Sequence, residues 1–218
     1  MGWRDRMDAR PEENRAPWMA WRDCMDARLI IVASTNPGKI REVRLALGDL
    51  QGWAVEPLPP GIHGIEETGG SFIENAIQKA EHYSRFVEGL TLGDDSGLCV
   101  HALHDAPGLH SARYGPTPEA RNQRVLSELE AISAADRNAT FICAFALARA
   151  GTVVWKTEAR LAGRIAHEPA GAFGFGYDPI FDVPELGKTL AELPPEEKNR
   201  TSARGRALVE LRRFLAGV

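Results

Sequence analysis

The chain becomes periodic at Leu29. LIIVAS at 29–34 is apolar at consecutive positions, as in a strand buried on both faces, and Thr35-Asn36-Pro37-Gly38 follows as a turn. Ile40, Val43, Leu45 and Leu47 form a partial helical stripe that stops near Gly48, and a second strand is expected at 53–58, ahead of PLPPG. Ser71-Phe72-Ile73-Glu74 has capping-box spacing, and Phe72, Ile73, Ala76, Ile77, Ala80, Tyr83 and Val87 recur at helical intervals. That stripe leaves Glu74, Asn75, Gln78 and Lys79 off the core side, with Asn75 and Lys79 one turn apart. Leu90 and Leu92 lead into GDDSGLCV at 93–100, where a buried strand is expected to end in carboxylates. Thr117-Pro118-Glu119 opens another helix, carrying Val125, Leu126 and Leu129. ATFICAFALARAGTVVWKTEARLAG reads as a long hairpin whose first arm is apolar on both faces, while the second alternates from Val153 to Leu161. A closing helix is expected from Arg204 to Leu215. Interleaved strands and helices with one antiparallel hairpin predict an α/β fold, a mixed and partly antiparallel sheet flanked by helices.

Residues 1–28 do not share this periodicity. WRDRMDAR at 3–10 and WRDCMDAR at 21–28 form a near-repeat of mixed charge, too short for a solenoid unit and too acidic for a mitochondrial transit peptide. A disordered leader produced by a duplicated coding segment is expected there, with Met25 as an alternative start, before a single domain at 29–218. With 218 residues, 44% of them hydrophobic, the chain can fill a substantial core. The net charge of −4 supplies no basic excess for a nucleic-acid backbone. Cys24, Cys99 and Cys143 include no CxxC pair, which argues against a disulfide framework or thiolate zinc site and fits a reducing cytoplasm. No apolar run approaches the roughly 20 residues that span a bilayer, so no membrane partner is expected.

Candidate chemistry falls where elements end. At Ser34-Thr35-Asn36-Pro37-Gly38-Lys39, a strand, a tight turn and a helix start would set free amides and an ammonium at one point, which suits a phosphate. An ordinary turn with a surface lysine has the same pattern, and this is not a Walker A loop, because position 33 is alanine and Ile40 follows Gly38-Lys39. Glu66 and Glu67, before Thr68-Gly69-Gly70, are either a functional pair or dipole partners of the next helix. Asp94 and Asp95 should point to opposite sides of an extended segment, so one can face a ligand. Buried carboxylates there call for a hard cation such as Mg2+ or a network of amides. In Gly171-Ala172-Phe173-Gly174-Phe175-Gly176-Tyr177-Asp178-Pro179, glycine alternates with aromatics, which allows a flat ring to approach a ligand while Asp178 accepts from its edge. The run from Glu197 to Arg204 places cations before the final helix.

Taken in order, STNPGKIREV, EETGGSFIENAIQKA, GDDSGL, APGLHSARYG, GFGYDPIF, GKTLAEL and EKNRTSARGRAL resemble the inosine triphosphate pyrophosphatase family over almost all of 29–218. The resemblance implies two lobes with a central cleft, a homodimer, and Mg2+-dependent hydrolysis of dITP, ITP or XTP between the α and β phosphates. It implies Asp95 as proton acceptor and metal ligand, Ser96 beside the substrate, and Glu66 or Glu67 as the second metal ligand. It further implies Ser34 to Lys39 as a phosphate-binding turn, Phe175, Gly176, Tyr177 and Asp178 around the purine, and Lys198 and Arg204 as closing contacts. Lys79 is expected to join Lys39 and Lys198 in neutralising the triphosphate. One departure stands out: Ser202-Ala203-Arg204 replaces the family's usual Ser-His-Arg, whose histidine is associated with the purine 6-oxo edge. Two rival readings are a pyrophosphatase for other modified nucleotides and a nucleotide-binding protein without turnover.

Overall fold

A computed structural model describes residues 28–50, 52–130, 132 and 136–217. The leader expected over 1–28, with Cys24 and Met25, lies outside the described residues except for Arg28, which belongs to the first strand. In chain order the elements are β1 (Arg28–Ala33), α1 (Pro37–Leu47), β2 (Trp53–Pro57), α2 (Phe72–Tyr83), β3 (Leu90–Val100), β4 (Ala106–Pro107) and α3 (Pro118–Leu129). There follow β5 (Asn138–Arg149), β6 (Thr152–Ile165), β7 (Phe181–Val183), β8 (Lys188–Thr189), α4 (Pro195–Thr201) and α5 (Ala203–Ala216). One sheet of eight strands runs β2-β1-β3-β5-β6-β7-β8, with β4 on the side of β3. β1 pairs in parallel with β2 and β3, and the remaining pairs are antiparallel, which is the mixed α/β sheet expected.

Local chemistry sets the helix starts. Asn36, Ser71 and Thr117 each cap a helix through a side-chain oxygen that accepts from backbone amides. The serine arm of the expected capping box forms, but the Glu74 carboxylate accepts from Gly70, one residue ahead of the cap. That helix ends at Tyr83, so Val87 falls beyond it.

GDDSGLCV does not end a strand. β3 continues through it to Val100, because β5 pairs with it residue by residue from Thr91↔Ala148 to Val100↔Ala139. The ladder overrides the low strand preference of glycine and aspartate. β5 also divides the core, with Cys143, Phe145 and Leu147 facing α1, α3 and α5, while Ile142, Ala144, Ala146 and Ala148 face α2. Each large apolar side chain sealed in this way contributes about 1.5–3 kcal/mol. Asp94 stands opposite Phe145 and Asp95 opposite Ala144, so the two carboxylates leave β3 on different faces.

On the face of Asp95, glycines let α2 close on the strand. A Cβ at Gly93 would lie 2.1 Å from the Ala76 carbonyl oxygen, and one at Gly97 would lie 2.8 Å from Phe72 Cε1. The alanines of β5 on this face extend the same close seat. Among the described residues, no helix is long and apolar enough to cross a membrane.

Candidate active site

A cleft of about 640 Å³ opens between the β1–α1 turn, the loop after β2, the 3-10 turn at Gly108–Arg113, and the segments on either side of α4. Its lining includes Ser34, Thr35, Asn36, Pro37, Lys39, Glu67, Lys79, Asp95 and Ser96 from the first half of the chain. Phe175, Gly176, Tyr177, Asp178, Lys198, Ala203 and Arg204 line it from the second. The structure therefore brings together nearly all the residues singled out above.

Two do not line it. Glu66 is exposed and outside the lining, whereas Glu67 reaches inward, so of the two acids Glu67 is the one at the site. Gly38 sits behind the lining, where a Cβ would lie 2.5 Å from Phe175 Cδ1. The helix start and the aromatic loop are thus in direct contact.

The turn after β1 also differs from a nest of free amides. Ser34 Oγ accepts from the Asn36 amide at 3.1 Å, and Asn36 Oδ1 accepts from Gly38 at 2.9 Å and Lys39 at 3.4 Å. The amides of Asn36, Gly38 and Lys39 are already spoken for, so what this turn can offer an anion is the Lys39 ammonium and the side-chain donors of Ser34, Thr35 and Asn36.

On one face of β3, Asp94 is fully enclosed. Lys39 Nζ lies 2.8 Å from its Oδ1, and the Arg204 guanidinium holds its Oδ2. Burial opposes ionisation of Asp94, but Arg204 and Lys39 outweigh it and keep the carboxyl below its ordinary range. Arg204 also donates to Ser96 Oγ at 2.9 Å and pairs with Glu42 Oε2 at 2.9 Å. Glu42 Oε1 meets Lys198 Nζ at 2.6 Å, and Lys198 reaches Asp178 Oδ2 at 2.5 Å. Glu42 was not anticipated from sequence, although it lies three residues beyond Lys39 in a helix and so on the same side.

The aromatic loop rests on this network. Lys198 Nζ lies 4.5 Å from the Phe175 ring centroid and the Arg204 guanidinium carbon 5.9 Å from it. The amide of Phe175 donates to Asp178 Oδ2 at 2.6 Å, so Asp178 anchors the loop as well as lining the cleft. Burial pushes the Asp178 carboxyl up from its ordinary value, against the pull of Lys198. Tyr177 is buried and its hydroxyl donates to the Ser111 carbonyl at 2.8 Å, so that side chain ties the loop to the 3-10 turn.

On the other face of β3, Asp95 is less completely matched. Its Oδ2 accepts from Asn75 Nδ2 at 3.0 Å, and Lys79 Nζ stands 3.5 Å from its Oδ1. Lys79 also lies 2.7 Å from Glu67 Oε1 and donates to the Asp94 carbonyl at 2.9 Å. Burial raises the Asp95 carboxyl above its ordinary value despite Lys79 and Asn75. Lys79 itself is held above its usual value, because Asp95 and Glu67 outweigh the cost of burying the ammonium. Asn75 corrects the sequence reading: placed off the core side, it is buried with 2% of its surface exposed.

Among the described residues no trio of metal-ligating side chains is preassembled. The donor set nonetheless suits Mg2+, which characteristically takes one or two carboxylates and fills its other positions with water and substrate phosphate oxygens. Glu67 and Asp95, converging on Lys79, are the two carboxylates available.

Fold and cleft together define a class: an α/β protein whose cleft sets an aromatic ring beside a network of ion-paired lysines, arginine and carboxylates. The Ham1 family model matches residues 30–214, and the chain belongs to that family. A protein of Gloeobacter violaceus named dITP/XTP pyrophosphatase is 49% identical over 190 residues, covering 87% of this chain and 94% of its own. A protein of the same name in Bacillus subtilis is 43% identical, covering 85% and 96%. The solved structure of a HAM1 protein from Coxiella burnetii superposes with a TM-score of 0.79 at 42% identity, covering 88% of this chain and all of that one.

Proposed function

We propose that the cleft hydrolyses non-standard purine nucleoside triphosphates such as dITP, ITP and XTP to the monophosphate and pyrophosphate, clearing them from the nucleotide pool. The observation that carries this reading is the placement of Asp95. One buried, imperfectly neutralised carboxylate faces the same cleft as the Lys39 ammonium and the Phe175 ring.

The residues divide the work by chemistry. Phe175 offers its face to the purine, while Lys198, Arg204 and Asp178 stand where the edge of the base would be read. Lys39 and Lys79 meet the phosphate tail. Asp95, which faces the cleft and is held by Asn75 and Lys79, accepts the proton of the attacking water. Bound through Glu67 and Asp95, Mg2+ would neutralise phosphate oxygens where negative charge builds up. Charge counting supports a divalent ion. Within the ion-paired network, the four cations Lys39, Lys79, Lys198 and Arg204 face the five carboxylates Glu42, Glu67, Asp94, Asp95 and Asp178, before any phosphate arrives. Arg113 and Arg121 add positive charge on the far wall.

A homodimer in the cytoplasm completes the proposal. The buried thiols of Cys99 and Cys143 are pushed up to about 11 and about 12 by desolvation, so they stay protonated at neutral pH. The test of the function is a panel of ITP, XTP, dITP, GTP and ATP with Mg2+, resolving pyrophosphate from orthophosphate. Pyrophosphate from the non-standard purines is expected; orthophosphate as the sole inorganic product would reject the reading, and binding without turnover would favour a nucleotide-binding protein.

A further inference from the structure

The segment between Pro57 and Ser71 has no helix or strand, yet it delivers Glu67 to the cleft. Backbone with no ladder of its own finds its partners elsewhere, and here several of them are side chains from one side of α2. The Thr68 amide donates to Gln78 Oε1 at 3.2 Å, and Gln78 Nε2 returns a bond to Thr68 Oγ1 at 3.3 Å. Glu74 takes the Gly70 amide at 2.7 Å, and His82 Nε2 meets the His63 carbonyl at 3.1 Å.

Asn75 belongs to this row and does more. Its Oδ1 accepts from the Gly69 amide at 2.8 Å while its Nδ2 donates to Asp95 at 3.0 Å. The orientation is fixed by chemistry, since an amide N–H only donates and an ionised carboxylate only accepts. Side-chain freedom is small: Asn75 is buried, and a Cβ at Gly69 would lie 2.7 Å from its Oδ1. Lys79, one turn further along α2, touches Glu67 and Asp95 together.

We propose that Asn75 is a positioning residue for the hydrolysis, its flat carboxamide acting as a spacer that holds the Asp95 carboxylate and the Glu67 loop at one separation, so that both face Lys79. The proposal rests on the hydrolytic reading given above. Loss of the spacer frees Asp95 to rotate and the loop to withdraw, which impairs the chemical step more than substrate capture.

Asn75→Ala and Asn75→Asp separate the two ends. Aspartate keeps an acceptor for Gly69 but sets a second carboxyl against Asp95, which either repels it or shares one proton with it; alanine removes both bonds. In the substrate-free protein, amide exchange at Gly69 is expected to speed up about tenfold or more in Asn75→Ala and to stay within about threefold of the parent in Asn75→Asp. Assayed well below the melting temperature, both variants should lose about 10–100-fold in kcat, with KM within about threefold of the parent. Gln78→Ala, which cuts only the neighbouring tether, should leave Gly69 exchange within about threefold. Parental kcat in Asn75→Asp, or unchanged Gly69 exchange in Asn75→Ala, overturns the proposal. Should Asn75→Ala fail to fold, Asn75→Gln, which keeps donor and acceptor but lengthens the side chain by one methylene, decides it through kcat: a loss is expected, and parental turnover overturns the proposal. A parent that releases no pyrophosphate defeats the hydrolytic reading instead, and Gly69 exchange in Asn75→Ala then judges the spacer alone.

Discussion

Asp94 and Asp95 are consecutive residues of β3 with the same functional group, and both are almost wholly buried, at 1% and 7% exposure. Their surroundings differ. Asp94 enters the face covered by α1 and α5, where Lys39 and Arg204 hold both of its oxygens and favour its charged form. Asp95 enters the face covered by α2, where one ammonium at 3.5 Å and one carboxamide leave it easier to protonate than an ordinary aspartate. A carboxylate saturated by cations is a structural tie; one left short of them can bind a further ion or take a proton. The pleat of a single strand is enough to assign the two tasks.

Substitutions should separate these tasks. The largest expected effect is at Asp95: Asp95→Asn keeps the fold and its melting temperature but lowers kcat for pyrophosphate release by about 10³-fold or more. Near-normal turnover in that variant would remove the assignment. Asp94→Asn should act the other way round, strongly on stability, because it leaves Arg204 and Lys39 buried against an uncharged amide, at a cost of about 3–5 kcal/mol by thermal or denaturant unfolding. Its pH dependence gives a second check. The Asp94 carboxyl is depressed in the folded protein, so its contribution is complete above the unfolded value and disappears as pH falls through the folded one. The gap in stability between parent and Asp94→Asn should therefore be flat at neutral pH and close on acidification below about 3.9.

Gly93→Ala probes the seat of α2. Its new Cβ would collide with the Ala76 carbonyl, and a loss of about 1–3 kcal/mol is expected, accompanied by reduced kcat as Lys79 and Asn75 are pushed from Asp95. The smallest change is at Ala203, next to Arg204 on the Asp94 side. Ala203→His restores a donor in the lining and should alter the ratio of XTP to ATP turnover by about tenfold. An unchanged ratio would mean that position 203 does not select the base.

Much of this could be read from the sequence because the relevant signals are local. The hairpin of β5 and β6, the caps at Ser71 and Thr117, and the apolar start of β1 all follow from periodicity and capping chemistry. The path of β3 could not be read this way, since two glycines and two aspartates look like a strand end until ten cross-strand pairs with β5 are in place. The short helix α4 was hidden in a charge run, and β4, β7 and β8, of two or three residues each, carry too few positions for any alternation to register. Motif order named most of the residues that line the cleft. It could not distinguish Glu66 from Glu67, which depends on which side of an irregular loop faces inward, nor could it place Asn75. An asparagine off an apolar stripe reads as solvent-facing unless a buried carboxylate is known to lie across from it.

The contact between Gly38 and Phe175 has a consequence for how this cleft can change over time. One position sits in the turn between β1 and α1 and the other in the ring-bearing loop, 137 residues later, yet no side chain fits at the first unless the second gives way. The order of change is therefore one-way: room for a bulkier base can be opened by a smaller residue at 175 with Gly38 untouched, whereas any side chain at 38 has to wait until the ring at 175 has yielded.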